Sequence, residues 1–230
     1  DWRKEILEGL LGSNLIGFHT YDYTQHFLRC VLRILGLENN LGQIIFSGRL
    51  IRAETFPMGV NFRKFHHSGQ KKDVQKEMEI FKGAFKGRKT ILSVDRLDYT
   101  KGIAKRLQGY EEFLNRYPSW RGRVILILIV VPSRIKIEHY QGMKRQIDEK
   151  VGAINGKFGS LDWTPVAYSY RYMPESQLMA LYNICDVALI TPLRDGMNLV
   201  AKEFVSSKSD QKGVLILSEM AGASKEAGEA

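Results

Sequence analysis

Cysteine is almost missing from this sequence. Cys30 and Cys185 are the two present, far apart and in neither a C-x-x-C nor a His-paired spacing, which argues against a structural zinc, a redox dithiol or a disulfide scaffold. A reducing, cytoplasmic compartment fits that usage. Long apolar stretches are missing too. The longest, from Val124 to Val131, is well short of the roughly 20 residues a helix needs to span a bilayer, so it reads as a buried strand and no membrane association is expected. The five histidines, His19, His26, His66, His67 and His139, form no H-E-x-x-H or similar spacing, and no metal site is expected. No G-x-G-x-x-G follows the first strand of the large domain, which weighs against a nicotinamide or flavin enzyme. No secretory leader is readable. The chain starts on Asp1 inside a helix-like pattern and stops in a loop-like Ala-Gly-Ala-Ser stretch, so it is expected to be a piece of a longer protein.

With 44% hydrophobic and 26% charged residues, the chain has the composition of a globular protein with a packed core. Its formal charge is +9, from 34 Lys and Arg against 25 Asp and Glu. A basic excess invites a nucleic-acid reading, but the cations are spread over segments that also carry Glu and Asp, with no long basic block and no recognised nucleic-acid motif. Attraction of a small phosphorylated ligand explains the excess as well.

From Lys89 onward, short Ile/Leu/Val runs alternate with amphipathic stretches, the signature of β-α-β units around a parallel sheet. Strands are expected at 90–94, 124–131, 165–168, 187–190 and 214–217, and helices at 103–116, 134–155, 175–184 and 198–207. The fold class is α/β, with a doubly wound sheet at 85–230. Residues 1–70 read as the last segment of a preceding domain, with a helix at 23–35 and strands near 15–18, 43–46 and 50–55. The polar, basic 71–84 stretch has linker composition. In such a sheet, ligands bind beyond the carboxyl ends of the strands.

Ser93-Val-Asp-Arg-Leu-Asp-Tyr-Thr-Lys-Gly102 follows the first of these strands. Arg96 and Lys101 flank a turn closed by Gly102, so their heads can converge on a diphosphate; a salt-bridged surface loop is the alternative. Thr191-Pro-Leu-Arg-Asp-Gly-Met-Asn-Leu-Val-Ala-Lys-Glu203 follows the fourth. There Asp195, Gly196, Met197 and Asn198 turn into a helix opened by Leu199, Val200, Ala201 and Lys202, whose free amides suit an anion; simple capping by Asp195 or Asn198 is the rival. Glu203, about two turns on, can reach ligand hydroxyls or stand solvated. Arg134, closing Val131-Pro-Ser-Arg, either meets a phosphate or pairs with Glu138 at i+4.

Together with Ile154-Asn-Gly-Lys-Phe-Gly-Ser-Leu-Asp-Trp-Thr-Pro165, Gly17-Phe-His-Thr-Tyr-Asp-Tyr23 and Phe56-Pro-Met-Gly-Val60, these blocks resemble the trehalose-6-phosphate synthase family nearly end to end. The resemblance implies a B-type glycosyltransferase of two Rossmann-like domains, here the C-terminal donor domain and the end of the N-terminal one. It implies UDP-glucose as donor, glucose 6-phosphate as acceptor, retention of configuration, and neither cofactor nor metal. By the same resemblance, Arg96 and Lys101 neutralise the diphosphate, and Asp195 with Gly196, Met197 and Asn198 holds the glucose. Leu199, Val200, Ala201 and Lys202 line the nucleotide, Glu203 grips its ribose, the backbone of Met173 meets the uracil, and Arg134 reaches the acceptor phosphate. A homo-oligomer or a synthase/phosphatase complex is the implied assembly. The family's Gly-rich donor loop and much of its acceptor site do not occur in these residues, so this stretch alone is expected to bind UDP and to catalyse poorly. A noncatalytic regulatory subunit and a B-type transferase with another acceptor are the competing readings.

Overall fold

A computed structural model describes residues 2–134 and 137–227. The chain divides into two compact units, Asp1–Gly59 and Val60–Ala230.

The first unit runs α1 (Arg3–Leu10), β1 (Leu15–Phe18), α2 (Tyr21–Leu35), β2 (Asn39–Asn40), β3 (Gln43–Phe46) and β4 (Arg49–Thr55). Helix α2 starts where Thr20 caps the Tyr23 amide and ends at Gly36, whose φ of 68° takes the left-handed conformation that stops a helix. Its apolar stripe, Phe27, Leu28 and Val31, packs with Leu7, Leu11, Ile16, Ile44 and Ile51 in one core. The sheet order is β1-β4-β3-β2, parallel between β1 and β4 and antiparallel beyond. The β3–β4 hairpin turns through Ser47 and Gly48, both at positive φ (52° and 74°), the geometry that matches strand twist.

The second unit contains α3 (Phe62–His66), α4 (Lys72–Phe85), β5 (Lys89–Arg96), α5 (Ile103–Arg116), β6 (Val124–Val131), α6 (Glu138–Phe158), β7 (Val166–Tyr170), α7 (Glu175–Ile184), β8 (Val187–Ile190), α8 (Leu199–Ser207) and β9 (Val214–Leu217). Its five strands are parallel in the order β7-β6-β5-β8-β9. Strand β6 is buried from Val124 to Val130, which is why it reads as unbroken Ile/Leu/Val. The chain leaves β5 outward through β6 and β7, then returns to place β8 on the other side of β5. The order therefore reverses between β5 and β8, and a crevice opens there beyond the strand ends.

The α/β class and parallel sheet match the sequence reading, but several boundaries differ. The units part between Gly59 and Val60, not at 71–84. The stretch read as a linker is α4, anchored by Val74, which is fully buried, and by Met78, Phe81 and Phe85, which pack on the large core. Before it, Ser68 is buried and bonded to Asn183 Nδ2 at 2.9 Å. A helix covering one surface is polar on average, which hid this one. Strand β5 extends to Arg96, β7 is shifted to Val166–Tyr170, and α6 begins at Glu138. The helix expected from residue 134 fails at its start because Arg134 has φ 49°; its expected positions 135 and 136 lie outside the described residues.

Candidate functional site

The loop after β5 is shaped by Asp98, whose carboxylate accepts the Thr100 amide at 2.9 Å and the Thr100 hydroxyl at 2.8 Å. Burial pushes the Asp98 pKa up, but these two bonds with the nearby Arg96 and Lys101 outweigh it and hold the group below its ordinary value. The loop closes at Gly102 with φ 66°, and a Cβ there would lie 2.9 Å from the Thr191 carbonyl oxygen, so glycine is required both for the conformation and for the close approach of the loop after β8.

The two loops are stitched together. Thr100 O accepts the amides of Leu193 at 2.7 Å and Arg194 at 3.3 Å. Lys101 Nζ donates to Asp195 Oδ2 at 2.5 Å, and Asn198 Nδ2 donates to the same oxygen at 3.0 Å. Both members of the ion pair are mostly buried, with side-chain exposures of 14% and 15%. The segment after β9 completes the frame: Asp195 N donates to Met220 O, Gly222 N to Asp195 O, and Ala223 N to Met197 O at 2.7 Å.

Beneath the loops lies Arg106, a residue the sequence reading passed over. Its guanidinium is 1% exposed and donates to Asp95 Oδ2 at 2.6 Å, Ser93 Oγ at 2.5 Å, Thr191 Oγ1 at 3.1 Å and Lys101 O at 3.0 Å. One side chain thus fixes the end of β5, the backbone of Lys101 and the end of β8. Burial raises the pKa of Asp95, and the facing Arg106 opposes that rise. The signal was present in the sequence: Arg106 shares the helical phase of Ile103, Leu107, Tyr110 and Leu114, which form the buried face of α5.

Asn198, at φ 78°, caps α8 by accepting the Ala201 amide at 3.1 Å. Asp195 does not cap; its carboxylate is turned to Lys101. The Leu199 and Val200 amides, in the first turn of α8, have no acceptor within the helix, and they lie at its positive dipole end. Met197 is buried and Gly196 is exposed. Ala201 and Lys202 are engaged elsewhere, the first through its bond to Asn198, the second through a 2.6 Å pair with Glu226 Oε2.

Met173 and Glu203 line a common cavity of about 360 Å³ under the ends of β5 and β6, with apolar walls that include Val94, Ile129, Val131 and Leu178. The Glu203 carboxylate accepts the Tyr182 hydroxyl at 2.8 Å, and burial raises its pKa. Arg96 is exposed at the last residue of β5, where its charge, with that of Lys101, acts on Asp98. Arg134 follows β6 and donates to the Tyr140 hydroxyl at 2.8 Å while lying over that ring, so the Glu138 pair read as an alternative does not form. Of the residues singled out in the sequence, Lys101, Asp195 and Asn198 meet directly, Met173 and Glu203 share a cavity, and Arg96 and Arg134 stand at the ends of adjacent strands. Cations, a fixed carboxylate and open helix amides at one crevice form a cradle for a phosphorylated, hydroxyl-bearing ligand.

The sequence profile of glycosyltransferase family 20 matches residues 1–230. The bifunctional trehalose-6-phosphate synthase/phosphatase of Thermoproteus tenax is 56% identical over 230 residues, which is 100% of this chain and 32% of that protein. A crystal structure of an α,α-trehalose-phosphate synthase (UDP-forming) from Burkholderia xenovorans in complex with glucose-6-phosphate superposes with a TM-score of 0.94 at 36% identity, over 99% of this chain and 50% of that one. An E. coli structure described as trehalose-6-phosphate bound with UDP-2-fluoro glucose gives a TM-score of 0.92 at 35% identity, over 98% and 50%. The chain thus spans about a third to a half of the length of these relatives.

Proposed function

The chain belongs to glycosyltransferase family 20, and on that footing we propose that it supplies the donor site of a UDP-forming trehalose-phosphate synthase, a retaining transferase moving glucose from UDP-glucose to glucose 6-phosphate. The observation that carries this reading is the Lys101–Asp195 pair, shared with Asn198 and set beside the open amides of α8 where the strand order reverses.

In this reading Arg96, Lys101 and the Leu199 and Val200 amides take the diphosphate. As the bond from the anomeric carbon to the phosphate oxygen breaks, its electron pair goes to UDP, and these groups neutralise the charge that develops there. Asp195, held by Lys101 and Asn198, accepts hydroxyls of the glucose, with Gly196 and Met197 beside it. No carboxylate nucleophile is assigned, so the acceptor oxygen attacks from the leaving-group face and its proton passes to the departing phosphate oxygen. Arg134 takes the phosphate of the acceptor, the Met173 backbone the base, and Glu203 the ribose. No cofactor or metal enters this scheme.

Residues 1–59 then belong to the acceptor-side domain and residues 60–230 to the donor domain. The bifunctional relative suggests an enzyme that works alone or with a phosphatase activity, and the near absence of cysteine supports a cytoplasmic setting. Among the described residues no helix is long and apolar enough to cross a membrane. The test is transfer in EDTA by the full-length protein that contains this chain: supplied with UDP-glucose and glucose 6-phosphate, it releases UDP and α,α-trehalose 6-phosphate. Binding of UDP-glucose with no transfer to glucose 6-phosphate overturns the reading in favour of a noncatalytic or differently accepting relative.

A further inference from the structure

The cavity that holds Glu203 has a charge pattern of its own. Its walls are mostly apolar, and two of its three charged lining residues, Lys64 and Glu175, form an ion pair with each other. That leaves Glu203 as the lining carboxylate with no cation in direct contact. Its hydrogen-bond partner is a single neutral donor, the hydroxyl of Tyr182, which meets Oε2; no other hydrogen bond reaches the carboxylate among the described residues. A carboxylate has room for about four donors, so Oε1, on a residue that lines the cavity, has its lone pairs unused. An anionic group is repelled by that oxygen, and an apolar group leaves it desolvated and unpaired. A pair of neighbouring hydroxyls fits it.

Tyr182 is built to keep Glu203 in that pose. Its side chain is fully buried in the core between α7 and α8, with its ring held by contacts such as that to Phe65. Burial, with Glu203 beside it, pushes the Tyr182 phenol well above its ordinary pKa, so it stays a proton donor across the physiological range. Glu203 sits at the middle of α8, and on its own it has the rotamer freedom of any glutamate. The bond to a rigid, buried hydroxyl restricts that freedom and leaves the other carboxylate oxygen of this cavity-lining residue open to a ligand donor.

We propose that Tyr182 is a positioning residue that orients Glu203, and that through it the site distinguishes a ribonucleotide from a 2′-deoxynucleotide. This rests on the reading of Glu203 as the ribose contact given above, and it adds the residue that makes the contact selective.

The experiment is titration of the protein with UDP and with 2′-deoxyuridine 5′-diphosphate, for wild type, Tyr182→Phe, Glu203→Gln and the double variant. Wild type is expected to prefer the ribonucleotide by about tenfold or more, the scale of a hydrogen bond to a charged group. In Tyr182→Phe the preference falls to about threefold or less while affinity for the deoxy analogue stays near wild type. A merely structural role lowers both affinities together and leaves their ratio unchanged, and that result overturns the proposal. In the double variant Tyr182→Phe adds nothing to the loss caused by Glu203→Gln. If Tyr182→Phe folds poorly, Glu203→Asp, which draws the carboxylate back from the hydroxyl, shows the same loss of preference; an unchanged ratio there also overturns it. A wild-type preference that survives Glu203→Gln refutes the ribose assignment itself, which separates failure of that reading from failure of the Tyr182 role.

Discussion

Lys101 Nζ and Asp195 Oδ2 lie 2.5 Å apart, and this one contact joins the loop after β5 to the loop after β8 across the point where the strand order reverses. Neither side chain is free to follow solvent. The cation is oriented by the carboxylate, and the carboxylate by the cation and by Asn198 Nδ2. A ligand with phosphate at one end and hydroxyls at the other therefore meets two groups already fixed relative to each other, the condition under which charge stabilisation costs least reorganisation.

Removing one member strands the other. Lys101→Met is expected to lower affinity for UDP-glucose at least tenfold, and to cost about 1–3 kcal/mol of stability, because the mostly buried Asp195 carboxylate loses the cation 2.5 Å from it. Asp195→Asn costs less stability but weakens UDP-glucose more than UDP. Calorimetric titration and urea denaturation of the two single variants and the double variant check this; the two losses must fall short of adding.

Arg106 makes a sharper case. Arg106→Met leaves Asp95 buried without its cation and is expected to cost about 3–5 kcal/mol, whereas Arg106→Met with Asp95→Leu removes both charges and recovers more than half of that. Equilibrium unfolding of the three variants decides it. A double variant as unstable as Arg106→Met alone would show that the bonds to Ser93, Thr191 and Lys101, not the ion pair, hold this region.

The sheet was legible in the sequence because its strands are buried on both faces and punctuated by loops. Val124–Val131 carries no polar residue at all, and its assignment is the same in sequence and structure. The loop sites were legible through residue type and their place after a strand, which is enough to single out Lys101 and Asp195 but not their contact. Long-range partnership was not legible. Nothing local says that Asp195 turns to Lys101 instead of capping α8, that Arg134 leaves Glu138 for Tyr140, or that Tyr182 reaches Glu203. Helix α4 was missed for a different reason. Its apolar residues Val74, Met78, Phe81 and Phe85 recur at helical spacing, but the Lys and Glu between them gave the whole stretch a linker's average polarity.

Asp186 provides the pH test. Its carboxylate accepts from Lys89 Nζ at 2.6 Å, the Thr90 amide at 2.9 Å and the Thr90 hydroxyl at 3.0 Å, pinning β8 to β5. Burial pushes its pKa up, but these bonds outweigh it and hold the group below the ordinary 3.8. Between the folded and unfolded values the unfolded chain binds more protons, so the contribution of Asp186 is present above about pH 4 and is lost as pH falls through the folded value. Asp186→Asn is expected to be less stable at pH 7 and to lose less stability on acidification, as followed by thermal melts from pH 7 down to about pH 3.

Gly102→Ala is expected to cost about 2 kcal/mol or more, from a left-handed φ of 66° and from a Cβ 2.9 Å from the backbone oxygen of Thr191. Because that oxygen belongs to the other loop of the site, UDP affinity falls with stability. Gly109→Ala, inside α5 with open space around its Cα, serves as the control and is expected to be neutral or stabilising.

The most direct test of the site is calorimetric titration of UDP into the wild-type protein and into Arg96→Ala, which removes an exposed side chain and leaves the core untouched. Saturable binding by wild type, weakened at least tenfold in Arg96→Ala with an unchanged melting temperature, is the predicted result. Equal binding by both proteins, or none by a folded wild type, contradicts a diphosphate cradle at the ends of β5 and β8.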